Sequence, residues 1–383
     1  MTNLSSITRT LAYFAVALLT ISANVAIPIA DGAKTQGGIS GTVLRVTTLA
    51  ASGPGSLRQA LEAEGPRLVV FEVGGVIDLE GRTITVSHPQ LTIAGQTAPD
   101  PGITLIRGGL VIATHDVIVQ HLAVRLGDAG PVGDAISVNR GHDVIIEHCS
   151  ATWAIDENLS LSGPADVEDS SLTTHDVTIR HCLIAEGLSH ATHPKGEHSK
   201  GTLIHDGVRN VLIEGCLYAH NRERNPRLKG GSSATVRDSV MYNWGSACVG
   251  VGVRGNRKML TPAEATLIGN VAIAGPDTRY KELVKDVDPG GRVWLREPQV
   301  PRLTLGMTLR NAGSRPARRD PIDARIVQSV IDGTGHIIDS QNEVGGYPTR
   351  TPTKRALVVP KDRRAWLEKL SKELSAPSPD SQK

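Results

Sequence analysis

One short motif returns along the chain, and its return limits the fold more than any other feature. His115-Asp116-Val117-Ile118-Val119-Gln120-His121 reappears as His142-Asp143-Val144-Ile145-Ile146-Glu147-His148-Cys149, as His175-Asp176-Val177-Thr178-Ile179-Arg180-His181-Cys182, and as Arg209-Asn210-Val211-Leu212-Ile213-Glu214-Gly215-Cys216. Self-similarity at a spacing of tens of residues is the mark of a solenoid. Each copy is a polar turn followed by a short alternating strand. Residues such as Val144 and Ile146 face one side of it and Glu147 the other. A strand that short cannot bury an apolar face alone. Stacking equivalent strands in parallel pairs each backbone with the next rung and joins the aliphatics into one interior. Leu68 to Val73, Leu91 to Ala94, Ile103 to Ile106, Ala135 to Val138, Ala234 to Arg237 and Thr266 to Ile268 fit further rungs. The predicted fold is all-β: a right-handed, single-stranded parallel β-helix over residues 36–360, with an N-terminal capping helix and a short C-terminal helix. The repeats are longest between Asp143 and Arg209, so loops should project there, where function tends to sit.

The ends of such a coil need covers, because an open rung exposes unpaired backbone. Ser56 caps a helical pattern running to Glu62 after the breaker Gly53-Pro54-Gly55. Arg363 to Leu374 places Trp366, Leu367, Leu370 and Leu374 on one helical face, and a Pro/Ser tail follows, so residues 361–383 read as a helix and a disordered tail. Between Asp277 and Pro360 the rhythm is poor, and long irregular loops are predicted. Cys149, Cys182 and Cys216 share one repeat position and lack C-x-x-C spacing. They read as a ladder of small buried side chains rather than disulfides or a zinc site. His115, His142 and His175 stack at one turn, where polar residues satisfy backbone groups.

Composition agrees with many short strands. Gly 40 and Pro 22 beside 3% aromatic residues require a core of Val, Ile, Leu and Ala. A net charge of +2 argues against nucleic acid as a partner, which would call for a broad basic excess. Residues 1–30 read as a signal peptide: Arg9 precedes an apolar run, Leu11 to Ile21, too short to span a bilayer, with small residues after it. The chain is therefore expected to be secreted, extracellular or periplasmic, with no membrane association after leader removal, and monomeric.

Several segments carry a family resemblance: Gly53-Pro54-Gly55-Ser56-Leu57-Arg58, Leu91-Thr92-Ile93-Ala94-Gly95-Gln96-Thr97-Ala98-Pro99, Ile145-Ile146-Glu147-His148-Cys149-Ser150, Trp153-Ala154-Ile155-Asp156-Glu157 and Ala219-His220-Asn221-Arg222-Glu223-Arg224-Asn225-Pro226-Arg227. In this order they closely resemble the pectate lyase family of polysaccharide lyases, from about Ser40 to Gly275. The resemblance implies a parallel β-helix, an acidic polysaccharide (polygalacturonate or pectin) as substrate and Ca²⁺ as cofactor. It also implies cleavage by β-elimination to a 4,5-unsaturated sugar end. Such chemistry removes a weakly acidic proton beside a carboxylate, so fixed positive charge must stabilise the carbanion-like transition state and a base must reach C5.

The family's base is an arginine two residues before a proline, which the resemblance places at Arg224 in Arg224-Asn225-Pro226. A guanidinium ordinarily stays protonated, so the role asks for positive neighbours or desolvation. Arg222, Arg227 and Lys229 are the neighbours, and strand alternation would put Arg222 on the face of Arg224. Lys200 resembles the family's substrate-binding lysine, and Lys229 stands where the family usually has an arginine; the exchange gives up bidentate carboxylate recognition. With Arg222 and Arg227 they are the substrate-binding candidates. The bland alternatives are a solvated cationic turn and surface lysines.

Ca²⁺ takes six to eight oxygens, and here the chain departs from the family's pattern. Its Asp-x-Asp becomes Val132-Gly133-Asp134, and its pair of acids four residues apart becomes Asp156 with Ser160. Asp134, Asp156 and Glu157 are the metal candidates, and the reduced carboxylate count predicts weak binding completed by substrate. Their alternative reading is as ordinary turn acids. Two rival functions remain. One is a noncatalytic carbohydrate-binding or cell-surface β-helix. The other is a glycoside hydrolase with paired carboxylates, for which Asp156 and Glu157, on opposite faces of a strand, would be poorly placed.

Overall fold

The computed structural model describes residues 27–164, 170–252, 261–287 and 291–375. The expected leader up to Ala26 and the tail from Ala376 lie outside them. The chain winds through about nine turns of a right-handed parallel β-helix. Among the described residues, three parallel sheets of ten, eight and nine strands run along the coil, the last including one short antiparallel strand. The repeated motif supplies the ten-stranded sheet: Val144 pairs with Val117 and Val177, and Val177 with Val211. Val117, Val144, Val177, Val211 and their i+2 partners Val119, Ile146, Ile179 and Ile213 are fully buried, the interior stack the alternation predicts.

The corners explain the polar residues of the repeat. His121, His148, His181, Gly215, Asp238 and Gly269 join this sheet to the nine-stranded one, each with φ between 48° and 67°. That left-handed conformation suits Gly and, among others, Asn, Asp and His. Asp116, Asp143, Asp176 and Asn210 adopt it at the other end of the strand, with φ between 51° and 54°. Beside them His115, His142 and His175 stack with ring centroids 4.7 and 4.8 Å apart, each against the Asp that follows it. Cys149, Cys182, Cys216 and Cys248 are buried free thiols, the first three stacked inside the coil.

Helix α1 (Leu57–Glu62) is capped by Ser56, whose hydroxyl accepts from the Gln59 amide, and it covers the first rung with Leu57, Ala60 and Leu61. Fully buried Arg67 donates to the Ala60 and Leu61 carbonyls, closing the helix's other end.

The stretch after Asp277 corrects the expectation of irregular loops. The coil continues through strands Val284–Val287 and Gly291–Arg296, and two helices follow, α2 (Pro301–Asn311) and α3 (Pro321–Asp332). Helix α3 begins with an Asp320 cap and Pro321 and ends at Gly333, at φ 68°. It seats against the nine-stranded sheet through buried polar bonds. Arg125 reaches Asp320 and Asp323, Ser150 donates to Asp323, and Arg325 grips Glu186 with both terminal guanidinium nitrogens. The chain then returns toward the first rungs, where Thr353–Lys354 pairs antiparallel with Val73–Asp78. Helix α4 (Arg363–Ser375) buries Leu367 against Leu68, Val70 and Ala94. Helices and return segment leave the eight-stranded sheet to carry the site.

Candidate active site

The candidate residues lie on four consecutive rungs of the eight-stranded sheet. Asp134 precedes strand Ile136–Asn139, Asp156 precedes and Glu157 opens strand Glu157–Ser162, Lys200 opens Lys200–Ile204, and Arg224 precedes Arg227–Leu228. Glu157 pairs in register with Lys200, and Lys200 forms a parallel bridge with Glu223. Rungs are about 4.8 Å apart, so residues distant in sequence meet.

Asp134, Asp156 and Glu157 each offer a carboxylate oxygen, all within 4.8 Å of one another. This corrects the expectation that Asp156 and Glu157 face opposite ways. Asp156 sits in a bend one residue before the strand, where alternation does not yet apply. Asp134 accepts from the Glu157 amide at 3.0 Å and from the Ser160 hydroxyl. The position where the family pattern has a second acid thus holds a donor to the remaining one. Burial pushes the Asp134 carboxyl up to about 7, with Asp156 adding to the rise and Ser160 and Arg224 opposing it. Burial also works against ionisation of Asp156. The hydrogen bond from His198 and the fields of His198, His193 and Arg224 outweigh it and hold that carboxyl below its ordinary value. Crowded carboxylates, one of them disfavouring its own charge, fit a hard dication met by oxygen alone. Asp134, Asp156 and Glu157 are the residues that would hold it.

Arg224 points to the outside of the coil and pairs with buried Glu157. Its φ of 65° interrupts the strand, and Arg222 pairs with Glu197 at 2.8 Å, a different acid from the one that meets Arg224. The predicted crowd of cations is also corrected, because acids interleave. Glu157 and Glu223 both approach Arg224, and Glu223 pairs with Lys200. The Lys200 side chain is 4% exposed, and burial lowers its ammonium below the ordinary value while Glu223 resists. Arg227 is buried and donates to the Gly252 carbonyl at 3.1 Å, and the Lys229 ammonium lies 3.3 Å from His205 Nε2. A buried amide chain sets the spacing of base candidate and acids. Asn158, next to Glu157, donates to Asn221, and Asn221 donates to Asn225, next to Arg224.

Sequence reasoning missed Glu223 and the pair His193 and His198. His198 Nε2 lies 2.8 Å from Asp156 Oδ1 and His193 Nε2 3.7 Å from it. Two histidines five apart in the longest predicted loop were the signal available.

The coil and this group define a parallel β-helix with three carboxylates and a guanidinium gathered on the outer face of one sheet. No family model matches the chain. The probable pectate lyase C of Aspergillus terreus is 39% identical over 262 residues, 67% of this chain and 56% of that protein. Its counterpart in Aspergillus flavus is 40% identical over 261 residues, with the same coverage. Over the matched stretch the chain is similar to proteins of the pectate lyase family. It spans a little over half the length of these curated relatives. Among solved structures, the cedar pollen allergen jun a 1 overlaps 73% of this chain and 90% of its own at 16% identity and a TM-score of 0.48, too loosely to transfer any residue role.

Proposed function

We propose that the chain is a calcium-assisted lyase that cleaves polygalacturonate or pectin-type uronate chains by β-elimination. The observation that carries the reading is the meeting of Asp134, Asp156 and Glu157 with Arg224 on one outer face. Ca²⁺ bound there would neutralise a substrate carboxylate and so acidify the neighbouring C5–H. With three carboxylates from the chain, the substrate's own oxygens complete the coordination.

In this reading Arg224 takes the C5 proton, the electron pair forms the C4–C5 double bond, and the C4–O bond breaks, its pair leaving with the departing oxygen, which takes a proton from water. Glu157 orients the guanidinium and is also a metal candidate; when its charge is shared with the ion, Arg224 loses part of its counter-charge and holds its proton less tightly. Lys200, Arg222, Arg227 and Lys229 are assigned to the polyanionic substrate, Lys200 by exchanging Glu223 for a uronate carboxylate. The same reading makes the chain a secreted monomer. No helix among the described residues is long and apolar enough to cross a membrane.

The test is digestion of polygalacturonate with and without calcium. Ultraviolet-absorbing unsaturated ends that vanish with chelator are expected, and Arg224→Lys should abolish them with little change in melting temperature. Reducing ends without unsaturation would replace the lyase by a hydrolase. Neither product across several acidic glycans would favour a binding module.

A further inference from the structure

The loop between strands Leu183–Ala185 and Lys200–Ile204 carries a pair of histidines near the site that the reaction above leaves without a task. Three backbone hydrogen bonds fold the loop back on the coil. The Leu188 amide donates to Ala154 O and the Ser199 amide to Leu188 O, both at 2.9 Å, while the His198 amide donates to Ser189 O at 2.7 Å. A turn at His193-Pro194-Lys195-Gly196 closes its tip, with the Gly196 amide on His193 O at 3.0 Å. This brings the His193 and His198 rings into a stack with centroids 3.6 Å apart, both buried, both directed at Asp156 Oδ1.

Asp156, His193 and His198 have the composition of a transition-metal site, and their ligand atoms lie within 4.8 Å of one another. The proton positions argue otherwise. The Lys195 amide donates to His193 Nδ1 at 3.1 Å, so in the neutral ring the hydrogen sits on Nε2, facing the carboxylate. A metal at Nε2 would require that hydrogen to leave and the Lys195 bond to break. His198 Nε2 is at donor distance from the same oxygen, while its Nδ1 is buried with no partner among the described residues. A buried polar atom left unmet is costly, and the ring is held by the bond its other nitrogen makes.

We propose that His198, backed by His193, is a positioning residue: the imidazole N–H groups occupy Oδ1 of Asp156 and fix the carboxylate so that Oδ2 meets the calcium ion. This rests on the calcium reading of the site. It explains how a site short of carboxylates can still present one in a fixed orientation. Hydrogen bonds to ligating groups are worth about 10–100-fold in metal affinity.

The experiment titrates Ca²⁺, and Tb³⁺ as a luminescent substitute, into the full chain and four variants, with melting temperature as the control for folding. His198→Ala should weaken binding about 10–100-fold. His193→Ala should weaken it less, because its bond is longer. His198→Gln, which keeps an N–H near the Nε2 position, should recover most of the loss, a rescue that a purely structural role would not predict. Asp156→Asn tests the underlying reading. If it leaves binding unchanged, or the unaltered chain binds neither ion, the calcium assignment falls and the proposal with it. If Asp156→Asn weakens binding while His198→Ala does not, the positioning role alone falls. Zn²⁺ binding by the unaltered chain that is lost in both histidine-to-alanine variants would make the rings ligands and also overturn it.

Discussion

Acid should loosen the seat of helix α3 through one buried ring. His220 lies between the coil and the helix. Asn243 donates to its Nδ1 at 2.9 Å, which places the proton on Nε2, and Nε2 donates to the Ser329 hydroxyl of α3 at 2.8 Å. The Ser329 hydroxyl itself donates to Ile326 O, and the Tyr242 ring packs edge-on at 5.3 Å. Burial pushes this imidazole down to about 4, with Glu186 resisting. The unfolded chain, near the ordinary 6.5, therefore takes up the proton first as pH falls. The stability contributed by neutral His220 is complete above about 6.5, lost progressively toward 4, and absent below. Between pH 7 and pH 5 the loss is about 2 kcal/mol. Asp134 works with the opposite sign, because its carboxyl, raised to about 7, gains stability on protonation over the same range. The measurement must therefore be a difference. Urea unfolding at pH 7 and pH 5 is compared for the unaltered chain and His220→Gln, which cannot titrate. The unaltered chain should lose about 2 kcal/mol more than the variant over that interval. Equal losses would refute the argument and mean that the ring is already protonated in the fold or titrates alike in both states.

Other perturbations have simpler readouts. Asp134→Asn should raise the melting temperature in chelator, since it removes a charge disfavoured by burial and by Asp156, and should abolish calcium-dependent turnover; a lower melting temperature would contradict the repulsion. Ile146→Ala opens a hole between Val119 and Ile179, its register partners, and should cost about 2–5 kcal/mol by denaturant unfolding. The four cysteines should resist a thiol reagent in the native state and all react in denaturant; fast labelling of the folded chain would show that the ladder is not closed.

The coil was legible because its signal is periodic. The motif beginning at His115 fixes which aliphatics face inward, and its return fixes the register in which Val117, Val144, Val177 and Val211 stack. The candidate residues Asp134, Asp156 and Arg224 were picked out through resemblance. Their surroundings were not: alternation put Asp156 and Glu157 on opposite faces, but Asp156 lies in a bend just outside the strand. Helices α2 and α3 went unread although Asp320-Pro321 and Gly333 mark a start and a stop. Their apolar faces are short, and the Arg and Asp residues among them look like loop until buried partners such as Arg125 and Glu186 are seen.

By itself the sequence determined the solenoid, its interior and the chemical character of the site, because these depend on local periodicity and residue type. Tertiary structure alone decided which charges meet: Arg224 with Glu157, Lys200 with Glu223, His198 with Asp156. Those pairs form between rungs or from a loop folded back onto the coil, and local pattern does not set which partners such a crossing brings within a few ångströms.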